Sequence, residues 1–569
     1  MFERQQLARA IKPSETAELA RLLGDYAAHV DKRRRFSLLA MAAMLLLVLT
    51  AAWVAEVRPD VFFEHIGNFF TYIVGLFHLD SGDWVFTDPV EWYWGLGKWS
   101  LLLLDTILIA YAGTMLGAIM GFLLSFATSR NLVKSAWICA ATRRVLEFGR
   151  TVPDIVFALI FVSSFGLGPL PGVLAIAMHT TGALGKLFAE VVENIDMKPV
   201  DGIQAAGGSW VQQIRFGVLP QVQANFISYA LLRFEINVRS AGVLGFVGAG
   251  GIGMTLMVAI RKFYASDVSA MMLMIIATVM VIDHLTEKLR HRLMDPKFGI
   301  HGQASAAPTT LQRSRSAAPF VICALLLVFA LWRQGFGISV FVDGAANLGF
   351  IIELMMPPNP ETWHRVGYYL TQLEQTLGIA FLGTLIAASL ALPFGFLAAK
   401  NVVPNFIVHL LSRRLFDTMR GVDTLVWALI WINVVGLGPF AGTLAIICSD
   451  FGAFAKLFSE AIETADRKPV EGVISAGGTE LMAVRYGILP QILPVILSQV
   501  LYFFESNTRA ATIIGIVGAG GIGLSLSEMI DTLEWRQVSF IILMLLITVS
   551  AIDWLSTKLR LAIIGSRPV

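Results

Sequence analysis

Two glycine clusters stand where a phosphate could be held. Gly248, Gly250 and Gly253 spell G-x-G-x-x-G inside FVGAGGIGM, and Gly518, Gly520 and Gly523 repeat the pattern; Gly251 and Gly521 complete each cluster. In a dinucleotide-binding loop such spacing brings backbone close to a pyrophosphate. That loop needs a strand before it and an acidic residue about 20 positions on. Here an apolar helical pattern precedes the glycines, and the next acid comes 14 residues after Gly253 (Asp267) or 5 after Gly523 (Glu528). The context excludes NAD. Two compatible readings stay open. Small residues allow close helix packing or a bend in a membrane, and bare backbone at membrane depth can line a pathway.

Charged residues sit just before each cluster. Glu235, Asn237 and Arg239 are matched by Glu505, Asn507 and Arg509. A central intramembrane Arg costs roughly 2.5–3.5 kcal/mol on insertion scales. Glu and Arg four apart can pair on one helix face, so each pair either fastens a helix bundle or presents a cation to an anion in a central cavity. With the glycines, these six residues are the candidate substrate pathway.

The elements that must position them are helices in a bilayer. Of 569 residues, 56% are hydrophobic and only 15% are charged, against roughly 25% charged in soluble domains. Charge-free runs at 36–55, 106–129 and 424–449 are long enough to span, since a crossing takes about 20 residues. Residues 155–185 carry no charge over 31 positions and hold GLGPLPG in the middle, which reads as two spans joined by a tight Gly/Pro turn. The three cysteines share no metal-ligand spacing. A net charge of +2 gives no reason to expect a nucleic acid.

The chain repeats itself at an offset of 270 residues. FEINVRSAGVLGFVGAGGIGM (234–254) matches FESNTRAATIIGIVGAGGIGL (504–524) at 13 of 21 positions, and no gap is needed from Thr106/Thr376 to Asp283/Asp553. Polar residues kept in register over this length mean two copies of one domain fused head to tail. Spans are expected near 36–56, 99–127, 145–165, 170–194, 219–244 and 267–289, then from about 319, 366, 415, 440, 489 and 537. Lys32-Arg33-Arg34-Arg35 precedes the first span and should stay inside, whereas the loop from Arg58 to Gly97 is acidic and should lie outside. Six spans per half give both halves the same topology and put both termini in the cytoplasm. The expected division is a cytoplasmic segment 1–35, a first domain 36–290, a cytoplasmic linker 291–318, a second domain 319–560 and a tail 561–569. The class is all-α and polytopic, with two tandem six-helix domains about a pseudo-two-fold axis.

A further motif falls between spans, on the inner side. Asp201-Gly202-Ile203 is followed by Ala206, Gly207, Gly208 and then Gly217-Val218-Leu219-Pro220. The second copy has Glu471-Gly472-Val473, Ala476, Gly477, Gly478 and Gly487-Ile488-Leu489-Pro490. This spells helix, glycine turn, helix. Pro199 is expected to end the preceding span, Ser209 and Gln212 to form a capping box, and Pro220 to open the next span. A short helix held across the cytoplasmic face by two spans is a handle for a partner.

That loop resembles the E-A-A, x3, G, x9, I-x-L-P motif in permease subunits of binding-protein-dependent ABC importers. NVRSAGVLGFVGAGGIG and KLFAEVVENID look most like phosphonate-type permeases, although methionine-type permeases have a similar glycine stretch. The likeness covers about 99–290 and 369–560. Asp201 replaces the motif's Glu, and Gly stands second in both copies. Such permeases are also usually separate, paired subunits. The resemblance implies a permease fused with itself in a bacterial cytoplasmic (inner) membrane, moving a phosphonate or related phosphorus oxyanion such as phosphite. It implies two copies of an ATPase subunit, which bind ATP and Mg and dock on the two loops. It also implies an extracytoplasmic substrate-binding protein. The chain itself is expected to hold no cofactor or metal and to be no enzyme, since it has no G-x-x-x-x-G-K-[ST] loop. Asp450, aligned with Thr180, is expected to fasten helices more than to gate them, because intramembrane charges usually pair. The alternatives are import of another small solute such as methionine, or a secondary transporter, which would need no ATPase-docking loop and often has inverted repeats.

Overall fold

A computed structural model describes residues 13–79, 81–133, 135–294 and 310–564. Residues 1–12, 565–569 and most of the expected linker lie outside the described residues. Apart from a lone bridge between His78 and Trp84, the regular elements among the described residues are helices.

The first half contributes α1 (Pro13–Val54), α2 (Pro59–Gly75), α3 (Leu96–Thr128), α4 (Ala136–Thr151), α5 (Asp154–Phe165), α6 (Pro169–Glu193), α7 (Lys198–Ala205), α8 (Leu219–Leu244), α9 (Ile252–Arg261) and α10 (Ala265–Met294). The second half repeats them in order as α11 (Thr310–Arg333), α12 (Ile338–Leu354), α13 (Trp363–Ala398), α14 (Phe406–Gly421), α15 (Thr424–Val435), α16 (Pro439–Glu463), α17 (Arg467–Ser475), α18 (Leu489–Ile516), α19 (Ile522–Asp531) and α20 (Trp535–Ile564). Each helix thus has its counterpart ten labels on.

Small residues explain the tightest packing. Gly113, Gly117 and Gly121 recur every four residues on α3 and face α6. A Cβ at Gly117 would lie 2.6 Å from Thr180 Cβ, and one at Gly121 would lie 3.0 Å from the Gly185 backbone. Close approach of small residues is how helices gain van der Waals contact in a membrane. On α13, Gly383 approaches Ile446 and Gly395 approaches Phe458 of α16 in the same way.

The span expected over 145–165 is broken in two. Proline disfavours the helical region for the residue before it, and Val152, just before Pro153, is extended (φ −70°, ψ 126°). In the second half the same break is made by Asp423, whose carboxylate caps α15 by accepting from Leu425 N at 2.9 Å. There α14 and α15 meet at 85°. α4 is amphipathic, and α5 has 12 residues, about 18 Å at 1.5 Å per residue, short of the ~30 Å hydrocarbon core. Eight helices among the described residues are long and apolar enough to cross, or up to eleven spans if each bent pair counts once. The Gly/Pro turn is as expected: Gly166 and Gly168 take positive φ (83° and 145°) between α5 and α6. Pro199 does not end a span. α6 stops at Glu193, and Pro199 sits in the first turn of α7.

The halves exchange their leading helices. α1 packs on α13 of the second half, where Gly378 faces Ala51 and Val54. α2 stacks Phe69 on Trp431 of α15, ring centroids 4.6 Å apart. Reciprocally, α11 packs on α3, with Tyr111 donating to the Cys323 carbonyl (2.8 Å) and Arg333 paired to Asp105 (3.1 Å). Each core therefore needs the other half's first helix.

Candidate functional site

The two loops after α6 and α16 fold alike. α7 ends in a reciprocal pair of bonds, Gly208 N to Ile203 O and Gly207 N to Gln204 O, both 2.9 Å. α17 ends identically, Gly478 N to Val473 O and Gly477 N to Ile474 O, both 2.9 Å. This closure requires a left-handed residue, normally glycine, and Gly207 and Gly477 have φ of 80° and 83°. Gly208 and Gly478 are needed for space, since a Cβ would meet Ile203 Cγ2 at 2.5 Å or Val473 Cγ1 at 2.7 Å. The capping box forms, with Ser209 N donating to Gln212 Oε1 at 2.7 Å. Leu219-Pro220 and Leu489-Pro490 open α8 and α18. Gln221 ties each end together. Its amide donates to the Asp196 carbonyl (3.1 Å) and its oxygen accepts from Asp196 N (3.1 Å), while Gln491 does the same with Asp466 (3.1 and 3.0 Å). Val200 is buried beneath, whereas Asp201, Ala206, Gly207, Glu471, Ala476 and Gly477 are exposed. Each loop is a glycine-closed, solvent-facing knob.

The glycine clusters are joints. Gly248, Gly250 and Gly251 have φ of 85°, 83° and 77°, and Gly518, Gly520 and Gly521 have 105°, 78° and 77°. The chain thereby turns from α8 into α9, and from α18 into α19. Gly168 N donates to Gly248 O (2.9 Å), and Gly438 N to Gly518 O (3.1 Å), which locks each joint to the turn between α5 and α6 or α15 and α16. Thr106 and Thr376 accept from Ile252 N and Ile522 N at 2.9 Å, capping α9 and α19. A Cβ on Gly253 would lie 1.8 Å from Gly242 O, and on Gly523 1.9 Å from Thr512 O. Close packing accounts for every glycine in the pattern.

The intramembrane charges pair as their spacing predicts, but with more partners. Arg239 is 3.4 Å from Glu235 and 2.7 Å from Asp283 of α10. Arg509 is 3.4 Å from Glu505, which also lies 3.5 Å from Arg560. Asp553, the counterpart of Asp283, instead faces Arg150 across the halves at 3.6 Å. Sequence reading missed Asp283, Asp553, Arg560 and Arg150. The only signal was that Asp283 and Asp553 close the gapless repeat. Asn237 sits apart from these charges. It is buried and donates to Thr114 Oγ1 and Thr180 Oγ1, both at 2.8 Å, joining α8 to α3 and α6. Asn507 donates to Thr384 Oγ1 (2.8 Å) and to Asp450, so the aligned Thr and Asp hold the same place. Between the halves lies a cavity of about 160 Å³ lined by Arg239, Arg420, Asp423, Thr424 and Ser449 among apolar side chains. Its counterpart beside Arg509 is about 10 Å³.

The family model for binding-protein-dependent transport system inner membrane components matches twice, over residues 113–298 and 391–561. The chain belongs to that family. This permease is 34% identical over 461 residues to a phosphate-import permease of Mycolicibacterium smegmatis, covering 81% of this chain and 85% of the relative. It is 38% identical over 196 residues to a phosphite transport system permease of Stutzerimonas stutzeri, 34% of this chain and 71% of that one. A D-methionine transport system permease of Pasteurella multocida matches more weakly, 26% over 204 residues, 34% of this chain and 93% of that protein. The mycobacterial match runs through both halves, so the permease is two fused family domains in an inner-membrane, multi-pass protein.

Proposed function

We propose that this chain is the complete membrane pathway of an ATP-driven importer for a small phosphorus oxyanion, such as phosphate, phosphite or a phosphonate. The observation behind the reading is the pair of exposed, glycine-closed knobs 270 residues apart, each clamped between two membrane helices. Two handles of the same fold suit two copies of one ATPase subunit. ATP and Mg are bound there, so hydrolysis is the partner's chemistry. An extracytoplasmic binding protein delivers the anion, and both termini lie in the cytoplasm. Relatives named for phosphate and phosphite import favour an oxyanion. Guanidinium groups between the halves suit such a cargo, since they bind oxyanions bidentately. In this reading Arg239 and Arg509 attract the anion, while Glu235, Glu505 and Asp283 keep binding weak enough for release. The glycine clusters, Asn237 and Asn507 hold the walls of the pathway.

The test is reconstitution with candidate ATPases and binding proteins in proteoliposomes. The expected result is ATP-dependent accumulation of phosphate, phosphite or methylphosphonate. Accumulation of methionine alone, or uptake driven by an ion gradient without ATP, would overturn the reading.

A further inference from the structure

Several cations within the helices of this permease have a carboxylate within 4 Å: Arg239, Arg509, Arg150, Arg333, Arg560 and Lys456 all do. Arg233, two turns of α8 before Arg239, has none among the described residues. One Nη donates to His179 Nδ1 at 2.9 Å, and its Nε is buried without a partner. His179 cannot neutralise it. The ring's Nε2 lies 3.2 Å from the Arg150 carbonyl, which only accepts, so Nε2 holds the proton and Nδ1 offers a lone pair. The imidazole is therefore neutral and aims the guanidinium without cancelling its charge. Asp154 is in electrostatic reach but beyond pairing distance, and its carboxylate accepts from Ile155 N at 3.0 Å.

The fold does not require this pair. At the aligned positions of the second half stand Phe503 and Ser449, and the same helices form. Arg233 also lies beside the other half: its partner His179 sits on the Arg150 carbonyl, and Arg150 pairs with Asp553 of the second half at 3.6 Å. A half-buried, unpaired cation at an interface calls for an anion. We propose that Arg233, oriented by His179, is a further cation that meets the transported oxyanion, a contact the second half, with Phe503 and Ser449 in those places, does not duplicate. This deepens the importer reading and rests on it.

The experiment compares variants in proteoliposomes containing the ATPase and the loaded binding protein, with phosphate, phosphite and methylphosphonate as probes. Arg233→Gln should lower maximal uptake about tenfold or more, the scale of one lost charged hydrogen bond. Arg233→Lys should recover part of the rate. His179→Gln, which keeps an acceptor, should stay near native, whereas His179→Leu should fall with Arg233→Gln. If native protein shows no ATP-driven uptake of any probe, the importer reading itself fails. If native protein imports and Arg233→Gln imports equally fast, the Arg233 proposal is overturned. Should Arg233→Gln not reach the membrane, His179→Leu decides, and native uptake in that variant overturns the proposal.

Discussion

Alanine at Gly207 isolates the proposed coupling loop from the rest of the fold. The added Cβ meets nothing within 4 Å, so no clash arises. What changes is the cost of holding φ at 80°. For an L residue the left-handed region costs roughly 1–2 kcal/mol, which lowers the ratio of closed to open loop about 5- to 30-fold. Gly477 stands at φ 83° with equally open space. The two loops are separate, so the costs should add to roughly 2–4 kcal/mol in the double variant. Helix packing is untouched because the corner is exposed. The assay is ATPase activity stimulated by loaded binding protein, together with uptake and the thermal midpoint of the purified permease. Each single variant should lose stimulated turnover, the double variant should lose more, and the midpoint should hold. Valine at the same positions should act more strongly, since a β-branched chain fits that region worse. Asp201 is one methylene shorter than Glu471, so the two loops should differ in sensitivity. Native stimulated turnover in Gly207→Ala plus Gly477→Ala would refute the idea that loop closure transmits the ATPase stroke.

Gly253→Ala or Gly523→Ala should abolish correctly folded protein, because a Cβ less than 2 Å from a backbone carbonyl forces two helices apart; Gly242→Ala, with nothing within 4 Å of its Cβ, should insert and purify normally. Asn237→Ala should lower the thermal midpoint by an amount equivalent to about 1–3 kcal/mol, since it strands Thr114 and Thr180 in a buried site, and native stability would remove its role as a helix clamp. Arg239→Gln combined with Arg509→Gln should cut uptake about tenfold while basal ATPase persists. Transport at the native rate in a normally inserted double variant would leave these arginines a purely structural role.

The loops were legible in the sequence because each residue has a local reason. Left-handed φ demands Gly207, the capping box demands Ser209 and Gln212, and proline starts α8. The repeat exposed the pseudo-symmetry because polar residues cannot drift into register by apolar bias alone. The break at Val152 was hidden because α5 and α6 form one continuous uncharged run, and hydropathy records burial in lipid rather than chain direction. The second half conceals it further, since Asp423 replaces the proline signal with a cap. Exchange of α1 and α11 between the halves is a choice of partner among similar apolar surfaces, and no local pattern states it. The partners of Arg239 were half visible. Glu235 lies one helical turn away, but Asp283 is 44 residues on and meets it only through packing of α8 against α10. Arg233 escaped notice because an unpaired charge is defined by what fails to surround it, which only coordinates reveal.

The most direct test of the central claim is the subunit count of the intact, transport-active complex by native mass measurement. One copy of this chain with two ATPase subunits is the predicted result, because the two halves already supply both proposed docking loops and exchange their leading helices. An active complex containing two copies of this chain would contradict it.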